Sequence, residues 1–266
     1  MSNKPNLLIG AISANYSPAD IEGWVTTSKW DNCEQVLLVY NVTSKNNPLL
    51  TYLKQHNVTV LQPDFDFWGN PESEFQHHTG LCNLETSYNL IHNLRFFHIW
   101  NYLQNQSYEK VLITDVRDVY FNHNPFESIP ADKLIATSEE VLYKNHQWNQ
   151  THLHYNLGVV GMFVLLDEPV YNVGVFGGSA ELVKNISSDI YLLSIGKHKV
   201  ADQTSFNYLI QTKYKHITQF SGINDKFAVH LHVVNEGLVP FDYKVANEYA
   251  IIHQYDRITN WNSLII

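Results

Sequence analysis

From Val111 to Phe121 the chain reads VLITDVRDVYF, in which a strand of buried-type residues ends in Asp115, Arg117 and Asp118. It then returns at once to apolar Val119, Tyr120 and Phe121. Carboxylates are costly near a core unless they are paired, hydrogen-bonded or bound to a metal. Aspartate oxygens suit Mg2+ and Mn2+, cations that also bind phosphate oxygens. The stretch therefore points to a metal–diphosphate site; the plainer alternative is that the aspartates end a strand and cap a turn. Arg117, between them, is placed to pair with Asp118 or to reach a phosphate.

Other residues able to do chemistry lie further apart. Asp202 and Gln203 open a helix in DQTSFN, where aspartate is a common N-cap and glutamine a common surface amide. Gly177 and Gly178 end NVGVFGG, a strand that meets a positive-φ turn ahead of a helix. Lacking side chains, they also let a ligand approach the backbone, with a helix N-terminus facing it. Arg95 sits within the helix NLRFFHIW, where a solvated face is the simpler reading. Trp68 and Trp148 offer aromatic faces to the C–H side of a sugar ring. Among the 14 histidines, two HLH triplets stand out, His152–His154 and His230–His232. Each puts two imidazoles on one face of a strand, as zinc sites do, but without a third ligand at a familiar spacing.

The elements that carry these residues alternate in type. NLLIGAIS, QVLLVYNV, VTVLQ and KVLIT read as strands. Between them come a helix started by Ser17 and Pro18, a helix with Leu49, Leu50 and Leu53 at helical spacing, and the long amphipathic segment LETSYNLIHNLRFFHIWNYLQNQS. Repeated strand–helix–strand units predict a mainly parallel sheet covered on both faces. Ligands of such sheets sit outside the carboxyl ends of the strands, where Asp115 falls. Later, KLIATSEEV and YAIIHQYD read as strands, VADQTSFNYLIQTKY as a helix, and LGVVGMFVLL as either a strand or a buried helix. No repeat or linker interrupts the chain, which predicts one domain over 1–266.

Composition narrows the class. Hydrophobic residues make up 44% and charged residues 16%, which excludes disorder. The net charge of −9 argues against binding nucleic acid, which needs a basic surface. It does not argue against phosphorylated ligands, because a divalent cation supplies positive charge. Cys33 and Cys82 alone make neither a disulfide framework nor a cysteine zinc site. No leader pattern opens MSNKPNLLIGAIS and no apolar run spans a bilayer, so a soluble, cytoplasmic protein is expected.

Taken in order, four segments resemble glycosyltransferases of the GT-A fold. LITDVRDVYF looks like their DxD signature, with the acidic pair one residue wider than usual. NVGVFGG and the helix after it are similar to acceptor-side segments of the blood-group A/B transferase family, while the DQ of DQTSFN is closer to the glycogenin-like family. IIHQYD looks like the late strand whose histidine, here His253, completes the metal site. The resemblance implies a single GT-A-like, Rossmann-like α/β domain with a mainly parallel central sheet flanked by helices. Residues 1–121 would form the nucleotide-sugar half and 122–266 the acceptor half.

The implied reaction moves a sugar from a nucleotide diphosphate sugar, UDP-hexose favoured, to a glycan or glycolipid hydroxyl, as in polysaccharide biosynthesis. Asp115, Asp118 and His253 would hold Mn2+ or Mg2+, the mixed oxygen–nitrogen set favouring Mn2+. Ala11, Arg95, Asp115, Arg117, Gly177 and Gly178 would bind the donor, and Asp202 and Gln203 would be catalytic. Gln203 stands where an inverting enzyme keeps a carboxylate base, which implies retention; Glu139, Glu236 and Asp242 are the carboxylates that would otherwise serve. Two other functions remain in play: a histidine-based metal-dependent hydrolase and a catalytically inactive carbohydrate-binding protein.

Overall fold

Runs of leucine and β-branched residues make strands β1 (Asn6–Ser13), β2 (Cys33–Tyr40), β3 (Thr59–Leu61) and β4 (Lys110–Thr114). The computed structural model describes residues 4–44, 46–63, 87–195, 197, 200–259 and 261, so Trp68 lies outside it. All four strands are parallel, in the order β3-β2-β1-β4. Parallel neighbours need crossovers, and the helices α1 (Glu22–Thr27), α2 (Pro48–Gln55) and α3 (Ser87–Leu103) lie in them. Local chemistry starts α2: Asn47 Oδ1 accepts from Leu49 N at 2.8 Å and Pro48 fills the first turn.

The sheet continues with β7 (Pro169–Ser179), β6 (Leu134–Leu142) and β8 (Thr218–Ser221), reaching seven strands. β7 runs antiparallel to both β4 and β6, while β8 is parallel to β6. The sheet is therefore mainly parallel with one reversed strand. Side-chain alternation sends Leu7, Ile9, Val111 and Ile113 toward α3, α5 (Ala180–Ser194) and α6 (Asp202–Gln211). It sends Leu8, Leu37, Val39 and Leu112 toward α1 and α2. Burial on both faces is why these strands read as unbroken apolar runs.

Outside this sheet, β5 (Val119–Phe121) pairs antiparallel with β10 (Ile251–His253), which pairs in parallel with β9 (Ala228–His230). The helix α4 (Gln147–Leu165) packs against α6, and α7 (Leu231–Asn235) follows β9 directly. The ambiguous run LGVVGMFVLL forms the second part of α4, and it is no buried helix. Gly158, at φ 58° and ψ −148°, breaks the helical period. Val159 and Phe163 beyond it are 80% and 91% exposed. No helix of the described residues is long and apolar enough to cross a membrane.

Candidate metal centre

β1 and β4 are neighbours at the point where strand order reverses, and their carboxyl ends open a crevice. Asp115 follows the last residue of β4, and its N–H still donates to Gly174 O on β7 at 2.7 Å. Three residues on, Asp118 is fixed by its carbonyl, which accepts from Gln254 N at 2.6 Å just beyond β10. The short β5–β10 pairing thus brings His253 back to the aspartates. Ligand atoms of Asp115, Asp118 and His253 all lie within 4.8 Å of one another, and this group could hold a metal ion.

His253 is fully buried, and its Nε2 lies 3.4 Å from Asp115 Oδ2 and 3.7 Å from Asp118 Oδ1. Nε2 makes no hydrogen bond. An orphaned buried nitrogen aimed between two carboxylates fits a cation bridging all three. Charge agrees. Arg95 Nη1 donates to Asp115 Oδ1 at 2.6 Å and Nη2 to Asp202 Oδ2 at 3.0 Å. Among the described residues, Arg95 is the only arginine or lysine ion-paired with Asp115 or Asp202, and none is ion-paired with Asp118, a negative excess that suits a divalent cation. Burial opposes the charge on Asp115, but Arg95 and His253 beside it together outweigh this and hold the carboxyl well below the usual carboxylate range. On Asp118, burial with the Asp115 charge behind it pushes the carboxyl up.

Beside the centre opens a cleft of about 440 Å³, lined by Glu139, Trp148, Asn149, Asn172, Gln203 and His232 among others. Its floor is a polar network. Gln203 Nε2 donates to Asn149 Oδ1 at 2.9 Å and to Glu139 Oε1 at 3.3 Å, and its Oε1 accepts from Val173 N at 3.4 Å. Asn172 Nδ2 donates to Glu139 Oε1 at 2.7 Å while its Oδ1 accepts from Gly174 N, also at 2.7 Å. Glu139, 1% exposed, faces His232 Nε2 at 3.5 Å. Burial opposes its charge, but the bond and charge of His232, then His230 and Asn172, hold its carboxyl at about 2.

Several sequence expectations are corrected here. Arg95 does not lie on a solvated face: residues 93–96 are all buried, because α3 packs against the sheet on one side and α5 on another. Asp202 lies in the first turn of α6 rather than at its N-cap, and both its oxygens are taken, by Arg95 and by Gln203 N. Gly177 and Gly178 make no turn. They pair with Leu112 and Val111 inside β7, toward the start of β4 and away from Asp115. A Cβ there would come within 2.8 Å of Val111 O or 2.7 Å of Lys133 O, so close strand packing explains both glycines. Arg117 pairs with Asp256 at 2.6 Å, not with Asp118. Ala11 stands on β1 one residue past the Gly10–Thr114 pair, at the crevice.

Neither HLH triplet forms a strand pair. His152 and His154 lie on α4, where residues two apart face different ways, and His230 ends β9 while His232 enters α7. Asp242 caps the 3-10 helix 243–248 through Lys244 N, and Glu236 lines the cleft near His146. Sequence reading misses Gly174, Asn149 and Asn172; the glycine three residues before Gly177 was the available signal. No protein-family model matches the chain, and no curated protein matches it.

Two outcomes follow from this geometry. A Cβ on Gly174 would lie 2.4 Å from Asp115 Oδ2 and 2.8 Å from Asn172 Oδ1. Gly174→Ala should therefore displace the Asp115 carboxylate and weaken divalent-cation binding about 10-fold or more, read by titration calorimetry on folded protein. Wild-type affinity would remove Asp115 from the ligand set.

Glu139 sits at about 2 against an ordinary 4.5, so its charge stabilises the fold fully above about pH 4.5, and the benefit fades as pH falls toward 2. Glu139→Gln should lower the unfolding free energy at neutral pH by up to about 3 kcal/mol. In urea melts that gap should narrow from pH 4.5 downward; a gap constant with pH would mean that shape, not charge, matters.

Proposed function

We propose that this protein is a metal-dependent glycosyltransferase that moves a sugar from a nucleotide diphosphate sugar, UDP-hexose favoured, to a glycan or glycolipid hydroxyl. The observation that carries this reading is the convergence of Asp115, Asp118 and His253 at the carboxyl edge of a mainly parallel sheet, beside a cleft with Gln203 on its floor. Asp115, Asp118 and His253 would hold a divalent cation, which would supply positive charge against the departing nucleotide diphosphate. Mn2+ suits two carboxylates and an imidazole better than Mg2+ does. Arg95 fixes Asp115 for this task and is itself fixed by Asp202.

Retention is the stereochemistry this arrangement favours. The bond between the anomeric carbon and the phosphate oxygen breaks, the acceptor oxygen bonds to the same face, and the leaving phosphate takes the acceptor's proton. Gln203 cannot serve as a base. Its amide oxygen, engaged only by the long 3.4 Å bond from Val173 N, keeps a lone pair for the positive anomeric centre. Glu139, at about 2, is too weak a base to take a proton at neutral pH. Trp148, 47% exposed at the cleft and stacked on His152, fits a platform for the acceptor ring. Neither histidine pair offered for the hydrolase alternative lies on one strand face, so that reading has no such pair to support it.

A thermal-shift screen of nucleotide sugars should find a donor that raises the melting temperature only with Mn2+ present. Asp115→Asn should cost orders of magnitude in donor turnover while the protein stays folded; full activity of that variant in chelator rules the proposal out. Proton NMR of the first-formed product from an α-linked donor should show an α linkage. A β linkage defeats retention and points to Glu236, a partly exposed carboxylate at the cleft.

A further inference from the structure

His230 touches the metal ligand His253 without being a ligand, and the hydrogen bonds around it run in one direction. They start at a backbone carbonyl, which can only accept. Thr137 Oγ1 lies 2.8 Å from Val175 O, and two oxygens that close need a proton between them, which only the hydroxyl has. With that single hydrogen committed, Thr137 Oγ1 must accept from its other partner, His230 Nε2 at 3.0 Å. His230 Nε2 therefore carries a hydrogen. His230 is 2% exposed and neither of its hydrogen bonds goes to a carboxylate, so a charged ring there would be strongly disfavoured. The ring is neutral, and its Nδ1 is a lone pair.

His253 Nδ1, 2.9 Å from His230 Nδ1, must then be the donor. The Nε2 of His253 is left as the free ring position, and Nε2 is the atom aimed between Asp115 and Asp118. We infer that Thr137 and His230 are positioning residues that fix the tautomer of His253, so that Nε2 is presented to the cation as a ligand atom. The inference rests on the metal-centre reading and extends it to two residues outside the ligand set. It also gives a role to one histidine of the second HLH triplet. The relay spans β6, β9 and β10, so it also ties the ligand's orientation to the main sheet.

The test combines metal affinity with a direct reading of the ring. Thr137→Val keeps the shape and removes the hydroxyl; its Mn2+ dissociation constant should rise about 10- to 100-fold, while Thr137→Ser keeps wild-type affinity. His230→Asn, whose amide oxygen takes over the accepting role of Nδ1, should retain binding that His230→Leu loses. Proton–nitrogen correlation spectra of the metal-free wild type should show His253 protonated at Nδ1, with or without a second proton at Nε2. In Thr137→Val the tautomer protonated at Nε2 alone should appear. Unchanged Mn2+ affinity in a folded Thr137→Val, or a wild-type His253 protonated only at Nε2, overturns the relay. If the wild type binds no Mn2+, the metal-centre reading fails, and the spectrum still decides the tautomer on its own.

Discussion

Asp115 and Asp202 share one guanidinium at the edge of the sheet where Asp118 also gathers, and Arg95 divides itself between the two of them. That fork is what makes the burial of Arg95 and Asp202 tolerable. Removing one partner of a buried pair typically costs about 3–5 kcal/mol, because the other charge is left stranded. The fork also ties three elements together: α3 through Arg95, the end of β4 through Asp115, and the first turn of α6 through Asp202. The order of helices around the crevice thus depends on an electrostatic pairing as much as on apolar packing.

The reversed strand β7 does the rest of the positioning. It lies between β4 and β6, so it can reach Asp115 on one side and Glu139 on the other. Asn172 spans the two, donating to Glu139 and accepting from Gly174 N, and Gly174 leaves room for the Asp115 carboxylate. Asn207 locks α6 to the same strand, accepting from Tyr171 N at 2.8 Å and donating to Tyr171 O at 2.7 Å. Asp202 and Gln203, a little over one turn earlier on that helix, are held accordingly. A small polar side chain that pairs with both backbone groups of one residue fixes an angle that leucine packing alone leaves loose.

What the sequence makes legible divides along physical lines. Strands buried on both faces announce themselves as apolar runs, and NLLIGAIS and KVLIT match β1 and β4 residue for residue. Asp115, Asp118 and His253 are visible because carboxylates after an apolar run and a histidine inside one demand an explanation. Arg95 is harder to read. Its burial depends on Asp202, 107 positions away, and a local helical pattern carries no trace of that partner. Gly177 and Gly178 mislead for the opposite reason, since a glycine pair before a helix suits a turn locally while strand-to-strand crowding requires it globally. The HLH triplets fail for two reasons: His152 and His154 lie inside α4, while β9 ends at His230 and α7 begins at the next residue, so the two-residue period of a strand never applies.

The same charges bear on how firmly a cation would be held. Asp115 Oδ1 already accepts from Arg95, which draws electron density away from the carboxylate that must also bind metal. Asp118 is the weaker acid of the two, so a proton competes for its oxygen. Three protein ligand atoms, one polarised and one contested, fall short of the six that Mn2+ or Mg2+ prefers. Phosphate oxygens supply the missing ligands without the burial that further carboxylates would demand. On the transferase reading, a centre this incomplete binds its metal and its diphosphate each more tightly in the presence of the other, because the shared cation is fully coordinated only when both are there.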